Sequence, residues 1–154
     1  MSCGRWRALS GSVKGGADGI EPQRPNTIAR SLAIGNPADG HYAIKVITKT
    51  GGWAEDVSDP EMIESIQLLA ETEGIFTETA GGVTTGCARK LYRQGRIAPD
   101  ETTVLCITGN GLKTTDVLSG KYEVEEPIRP KVADFETFLQ RTLETAEFPV
   151  PVEA

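Results

Sequence analysis

Histidine and cysteine are scarce in this sequence, with one histidine and three cysteines among 154 residues. His41 alone cannot supply the imidazole clusters of most metal sites, or a catalytic triad with further histidines around it. Cys3, Cys87 and Cys106 are odd in number and show no Cys-x-x-Cys spacing, so neither a disulfide framework nor a zinc site is indicated. We expect no metal, and the free thiols fit a reducing, cytoplasmic environment.

Long apolar runs and an excess of basic residues are also missing. No window approaches the length of a membrane-spanning helix. The formal net charge is -6 and the isoelectric point is near 4.9. Because phosphate-binding surfaces need clustered lysine and arginine, this balance argues against nucleic acid and against an anionic membrane surface as partners.

The length of the chain predicts one domain, because it suffices for one hydrophobic core and not for two. Residues 1–23 contain five glycines and no periodic apolar face, which predicts a poorly ordered leader. We expect the folded α/β portion to span residues 24–146. Residues 147–154 carry two prolines and are expected to form a frayed tail.

Helix signals are strongest in the middle of the chain. Ser58 to Glu61 form a capping box with Pro60 in the first turn, which predicts a helix start. Apolar residues then recur at helical spacing until Gly74, which is expected to end this helix. Further helices are predicted from Asn26 to Ile34, from Tyr42 to Thr50, from Gly82 to Gly95, and over a stripe of Phe135, Phe138, Leu139, Thr142 and Leu143.

Short apolar segments alternate with the central helices. They run from Trp53 to Val57, from Ile75 to Thr77 and from Thr103 to Ile107, and their composition predicts buried strands. Three strands separated by two amphipathic helices predict a right-handed βαβαβ unit with parallel strands. The predicted fold class is therefore α/β, a parallel βαβαβ open sheet with flanking helices, in which Cys106 is buried.

The third predicted strand stops in the turn Thr108-Gly109-Asn110-Gly111. Two glycines let the backbone turn sharply and come close to a bound group. Ligands of open α/β sheets lie outside the carboxyl ends of the strands, where the turn is expected to meet Glu55–Ser58 and Glu78–Gly82. This turn is the candidate binding site. On local pattern alone, a strand-to-helix connection with nothing bound stays open as the alternative.

Several motifs occur in an order that resembles one enzyme family. They are Arg24 to Ala29, Ile34 to Pro37, Gly51-Gly52, Val57 to Asp59, Glu73 to Phe76 with Glu78, Ala80 and Gly81, and Ile107 to Lys113. This pattern resembles the threonine synthases, which are pyridoxal-phosphate enzymes of the tryptophan-synthase-β-like fold. The resemblance covers about Arg24 to Phe138 and does not extend to the leader, residues 1–23, and the Thr-Gly-Asn-Gly-Leu-Lys turn is its most specific part.

The resemblance implies a cofactor and a reaction for the complete enzyme. The cofactor is pyridoxal phosphate, and the reaction converts O-phosphohomoserine and water to threonine and phosphate. A hydroxyl at the position of Thr108 would bond the pyridine nitrogen, while Gly109, Asn110 and Gly111 would let the backbone lie against the ring. The implied partners are this small-molecule substrate and either a second copy of the chain or a complementing amino-terminal half.

Two family motifs are missing from the sequence. The lysine that carries the cofactor, in a Ser-Phe-Lys-Asp-like motif, and the phosphate-binding Gly-Asn loop both precede the matched region in the family. We therefore expect the carboxyl-terminal portion of a threonine synthase, with no catalytic residue in this chain and no activity by itself. A threonine dehydratase-like lyase portion and a non-catalytic module that binds a cofactor or anion remain alternatives, and the role of Glu78 stays open.

Overall fold

The computed structural model describes residues 7–122 and 127–145. Its α-helices are α1 (Arg7–Lys14), α2 (Gly40–Thr50), α3 (Asp59–Glu73), α4 (Thr79–Arg93) and α5 (Val132–Thr145), and short 3-10 helices lie at Arg30–Leu32, Gly111–Lys113 and Thr115–Leu118. The chain divides into two units, Met1–Ser119 with α1 to α4 and Gly120–Ala154 with α5. Across the described ranges, no helix combines the length and the apolar character that crossing a membrane requires.

Helix α3 begins at the predicted capping box. The Ser58 amide donates to the Glu61 carboxylate at 2.7 Å, and the Glu61 amide donates to the Ser58 hydroxyl at 3.4 Å. Proline in the first turn adds a preset backbone angle. The helix ends at Gly74, whose φ of 67° is left-handed and favours glycine. Both predicted ends of this helix are confirmed.

Helix α3 packs against α4, and this pair carries the core of the first unit. Ala29, Val57, Met62 and Ile66 form the buried cluster. Val83 and Cys87 of α4 cover this cluster in part, together with Val117 and Leu118 of the third 3-10 helix. The predicted inner face of α4 is therefore confirmed at Val83 and Cys87.

Helix α1 packs against α2 and lies within the predicted leader. Ala8, Ser10 and Ser12 are buried along α1, and Ile44 is buried on α2. The predicted lack of regular structure is therefore wrong for residues 7–14. The α2 prediction is confirmed, with a left-handed Gly51 at its end.

The predicted helix from Asn26 to Ile34 is wrong, because the structure has only the 3-10 turn Arg30–Leu32 there. Side-chain contacts of Thr27 explain the difference. Its hydroxyl oxygen accepts from the Ala29 amide at 3.1 Å, which forms a local turn that competes with a helix. The Asp59 carboxylate accepts from the Thr27 hydroxyl at 2.5 Å and from the Ile28 amide at 3.2 Å, and these bonds attach the turn to the start of α3.

The predicted parallel βαβαβ sheet is not formed within the described residues. They contain no strand, and the one isolated bridge joins Thr77 to Asn110 in antiparallel fashion. Between Trp53 and Val57, carbonyl groups accept from side chains of α4 instead, with Lys90 on Asp56 at 2.8 Å and Cys87 on Glu55 at 3.3 Å. These contacts position the segment without a neighbouring strand.

The apolar strip, Thr103–Ile107, departs furthest from expectation. Val104 is 81% exposed and Leu105 38% exposed, and Cys106 is also exposed, so its predicted burial is wrong. Within the described residues, the backbone of 102–108 makes no hydrogen bond to another backbone group. A buried strand needs neighbours on both edges, and the described residues place none there.

Helix α5 of the second unit is confirmed as an amphipathic helix. Phe135, Leu139 and Leu143 on its apolar stripe are exposed in the described part of the chain, at 52%, 42% and 53%. An ion pair between Arg129 and Asp134, 2.8 Å apart, lies near its start. The predicted tail, residues 147–154, lies outside the described residues.

Candidate functional site

The turn Thr108–Gly111 lies against the residues that precede α4. The Gly109 carbonyl accepts from the Glu78 amide at 3.2 Å and from the Thr77 hydroxyl at 3.1 Å. The Gly111 amide donates to the Phe76 carbonyl at 3.0 Å. Three hydrogen bonds therefore fix one side of the turn, and its position does not depend on a continuous sheet.

Both glycines of the turn are required by close approach. Neither glycine has a positive φ. The backbone conformation of the turn therefore does not require glycine at these positions. A Cβ at Gly109 would lie 1.9 Å from Oε1 of Glu78, and a Cβ at Gly111 would lie 2.6 Å from the Phe76 ring. The expected close approach is present, and the neighbours are this chain's own side chains.

The side chains of the turn have different environments. Asn110 is exposed, but its Oδ1 accepts from the Leu112 amide at 2.9 Å and so caps the 3-10 helix Gly111–Lys113. Thr108 is exposed, and its hydroxyl has no hydrogen-bond partner within the part of the chain that the structure describes. Of the four predicted residues, Thr108 and Asn110 have side-chain donors without a partner among the described residues, and Asn110 also caps the 3-10 helix through its Oδ1.

Sequence reasoning missed an ion pair beside the turn. Nζ of Lys113 lies 3.0 Å from Oε2 of Glu78, whose side chain is only 12% exposed. Glu78 is the N-cap residue of α4, yet its side chain makes no capping hydrogen bond. The signal was present in the sequence as an acidic residue before one helix and a basic residue directly after the glycine turn.

A cavity of about 340 Å³ adjoins this ion pair. Its charged lining comes from Glu78, Lys113, Arg30 and Asp116, and the last two form a looser pair 3.7 Å apart. Ile28, which Asp59 holds through its amide, contributes to another wall. Asp59, the first residue of α3, thus affects this cavity only by holding Ile28, which forms part of its wall.

The predicted meeting of three segments at one edge is confirmed for two of them. Glu78–Gly82 touches the turn directly, as the hydrogen bonds show. Glu55 instead lies in a separate cavity of about 600 Å³ near the carboxyl end of α4, where it contacts Lys14 and Gln94. No Glu55 contact reaches the turn among the described residues.

The pKa values of Glu55, which lines that second cavity, and of the nearby Cys87 are both shifted. Partial burial alone would raise the pKa of Glu55, but hydrogen bonds from Lys14, from the Asp56 amide and from Gln94 outweigh it and lower the pKa to about 2. Burial raises the pKa of the neighbouring Cys87 thiol to about 11, and the nearby carboxylates add to this effect. Cys87 is thus a packing residue rather than a nucleophile.

The described residues contain no group of histidine, cysteine or acidic side chains that could hold a metal ion. The chemistry of the turn must therefore be judged from its hydroxyl, its amides and its ion pair. A threonine hydroxyl can donate one hydrogen bond and carries no charge.

Comparison with known proteins decides the family. Residues 4–109 match the family model described as pyridoxal-phosphate dependent enzyme. The chain belongs to the pyridoxal-phosphate dependent enzyme family. The matched range includes α1 to α4, the apolar strip and the first two residues of the turn, and it extends into residues 4–23 of the predicted leader.

Three curated relatives of this chain are all named threonine synthase. A threonine synthase of Methanocaldococcus jannaschii is 41% identical over 112 residues, which is 73% of this chain and 27% of the relative. A threonine synthase of Halalkalibacterium halodurans is 35% identical over 117 residues, 76% of this chain and 32% of the relative. A third, of Methanosarcina acetivorans, is 40% identical over 103 residues, 66% of this chain and 25% of the relative. The chain thus spans about a quarter to a third of the length of these relatives.

The turn offers the family's cofactor, pyridoxal phosphate, an exposed side-chain donor on a fixed backbone. The Thr108 hydroxyl is exposed and free to donate, and the backbone beside it is fixed by the contacts to Thr77 and Glu78. The turn supplies neither a lysine placed to carry the cofactor nor a loop for its phosphate. The residues present therefore fit one contact of a larger site.

Proposed function

We propose that this chain is the carboxyl-terminal portion of a threonine synthase. In the complete enzyme it serves the conversion of O-phosphohomoserine and water to threonine and phosphate. The identity to relatives named threonine synthase, up to 41% among those above, supports this assignment. The observation that carries it is the turn itself, which is anchored on one side and presents the free hydroxyl of Thr108 on the other.

Pyridoxal phosphate, when bound, supplies an electron sink that eases the removal of protons and of the phosphate leaving group. The proposed task of Thr108 is to donate its hydroxyl hydrogen to the pyridine nitrogen. Because threonine is neutral, it supports an unprotonated nitrogen, whereas a carboxylate would stabilise a protonated one. Gly109 and Gly111 contribute the close packing that fixes the donor, and Asn110 caps the helix that follows.

The apolar strip has a proposed place in the complete enzyme as well. Its unpaired backbone and exposed Val104, Leu105 and Cys106 match a strand that is buried between neighbours. We propose that the portion of the enzyme that this chain does not span supplies those neighbours. That portion is the principal partner, a copy of the chain is a further one, and the cysteine usage agrees with a cytoplasmic site of action.

A segment exchange tests this function. A hybrid enzyme is made in which this chain replaces the matching segment of the M. jannaschii threonine synthase. The hybrid should bind pyridoxal phosphate and release phosphate from O-phosphohomoserine. The 154-residue chain alone should release none, because the lysine motif that carries the cofactor is absent from it.

Circular dichroism and sedimentation establish first that the hybrid is folded. A folded hybrid that binds the cofactor and leaves O-phosphohomoserine intact would contradict the proposed reaction. Phosphate release by the chain alone would contradict the proposed division of the site. The unaltered M. jannaschii enzyme is the positive control for both assays.

A further inference from the structure

Glu78 occupies an unusual place for an acidic residue at a helix start. As the N-cap of α4 it could accept a hydrogen bond from the first free amides of the helix, yet its side chain does not. The carboxylate turns instead toward the Thr108–Gly111 turn and is nearly enclosed there. A poorly hydrated carboxylate needs a partner, and Lys113 supplies it at 3.0 Å.

The fit between Glu78 and the turn is steric as well as electrostatic. Cγ, Cδ and Oε1 of Glu78 all lie within 2.4 Å of the place where a Cβ of Gly109 would be. The Glu78 side chain therefore fills the space that glycine leaves open. Its amide bonds the Gly109 carbonyl at the same time, so one residue holds this point of the turn through both backbone and side chain.

Lys113 closes the arrangement from the other side. It ends the 3-10 helix Gly111–Lys113, so its ion pair joins the far end of the turn to the residue before α4. The chain between Glu78 and Lys113 is also held by two backbone hydrogen bonds, from the Glu78 amide to the Gly109 carbonyl and from the Gly111 amide to the Phe76 carbonyl. Thr108 directly precedes this closed loop, and its position depends on where Gly109 is held.

We propose that the Glu78–Lys113 ion pair is a positioning pair that sets the direction of the Thr108 hydroxyl toward the cofactor ring. This inference rests on the proposed function of the turn. Neither side chain donates to the ring in this arrangement, and both act through Gly109 and Thr108. Lys113 is 63% exposed, so the pair adds little to global stability and its loss should leave the fold intact.

The test uses two lysine variants and a matched control. Lys113→Met removes the charge and keeps the length of the side chain, while Lys113→Arg restores the charge. Lys90→Met is the control, because Lys90, in the last turn of α4, forms an ion pair of the same 3.0 Å length with Glu61 of α3. All three are made in the hybrid enzyme and in the 154-residue chain.

Two readouts separate positioning from simple stability. In the hybrid, Lys113→Met should shift the absorption maximum of the bound cofactor and lower kcat by about tenfold, since a small misplacement of a donor is costly. In the chain without cofactor, hydrogen exchange at the Gly111 amide should accelerate about threefold or more. Lys113→Arg should restore both, and Lys90→Met should change neither.

Several results would overturn the inference. They are an unshifted absorption maximum in Lys113→Met, an arginine variant as impaired as the methionine variant, or equal effects from Lys90→Met. Unchanged exchange at Gly111 in the chain alone would overturn it independently of any cofactor. Failure of the parent hybrid to bind or turn over would instead contradict the proposed function, so the two failures are distinguishable.

Discussion

The Thr108 hydroxyl is one of the side-chain donors that the turn can offer to a ligand. Thr108 is exposed and unpaired within the described chain, whereas its neighbours are engaged in packing or capping. Replacing a hydroxyl by a methyl group changes hydrogen bonding and leaves shape almost unaltered. This makes valine the informative substitution at this position.

In the hybrid enzyme, Thr108→Val should weaken the binding of pyridoxal phosphate by roughly 2- to 10-fold, because a hydrogen bond worth about 0.5–1.5 kcal/mol is lost. Turnover should fall further, since the ring nitrogen loses its donor. Thermal unfolding without cofactor should stay as in the parent. Fluorescence titration and calorimetry check these outcomes. Binding and turnover equal to those of the parent would show that Thr108 does not bond the cofactor.

At Gly109 the expected effect is steric. Gly109→Ala places a methyl group against Glu78 and should lower the free energy of unfolding by about 1–3 kcal/mol. Shortening the opposing side chain in the double variant Gly109→Ala/Glu78→Ala should recover part of this loss. Urea denaturation measures both, with Gly19→Ala as the control because its Cβ would meet open space. A double variant less stable than the sum of the two single changes would show that the clash is elsewhere.

Among the elements, α3 depends most clearly on a local signal. Ser58→Ala removes the hydroxyl that accepts from the Glu61 amide, so the helix loses half of its capping box. We expect a loss of about 0.5–2 kcal/mol in urea denaturation. Ser31→Ala, at an exposed position, should change stability far less. Equal losses of unfolding free energy in the two variants would show that the Ser58 cap does not stabilise α3.

The rate at which Cys106 of the apolar strip is chemically labelled should depend on whether the strip is covered. In the chain alone, iodoacetamide should modify Cys106 much faster than Cys87, because Cys106 is exposed and burial raises the pKa of Cys87 to about 11. In the hybrid enzyme Cys106 should become protected, as the proposed strand is covered there. Mass spectrometry after timed labelling decides this. Rapid labelling of Cys106 in the active hybrid would refute the buried strand.

The helices could be predicted because their signals lie within the helices themselves. Ser58, Glu61 and Gly74 mark α3 without reference to any other part of the chain. The strip Thr103–Ile107 has equally clear strand composition, but a strand forms only when neighbours bond its backbone, and none does so here. Helix α1 was missed because two serines and a glycine, residues of low helix propensity, stand in the middle of its eight residues.

The position of the candidate site could be predicted from the sequence, but the hydrogen bonds that hold it in place could not. Thr108 to Gly111 stand out as glycines after an apolar run. The three contacts that hold them come from residues more than thirty positions earlier, Phe76, Thr77 and Glu78, and a linear pattern does not show such pairings. The same limit explains the failed helix at residues 26–34, where Asp59 bonds Thr27 and Ile28.

At the scale of the whole first unit, an acidic network links separate elements. Glu55 accepts from Lys14 of α1 and from Gln94 just after α4. Its pKa of about 2 lies below the ordinary value, so its ionised form stabilises the fold. This contribution is complete above about pH 5 and is lost as the pH falls toward 2.

The parent chain should therefore lose stability more steeply between pH 5 and about 2 than Glu55→Gln, which has no such proton to gain. Thermal unfolding at several pH values measures the two slopes. Glu71→Gln, on the exposed side of α3, is the control and should follow the parent. Identical slopes for the parent and Glu55→Gln would show that the network does not control acid unfolding.

The close succession of α3 and α4 bears on how the chain folds. Only Gly74 to Glu78 separate the two helices, and they pack against each other, so their contacts close short loops and cost little chain entropy. This pair should assemble early, before distant segments such as the Thr108 turn find their place on it. A chain emerging from the ribosome could therefore pair α3 with α4 before the Thr108 turn has been synthesised.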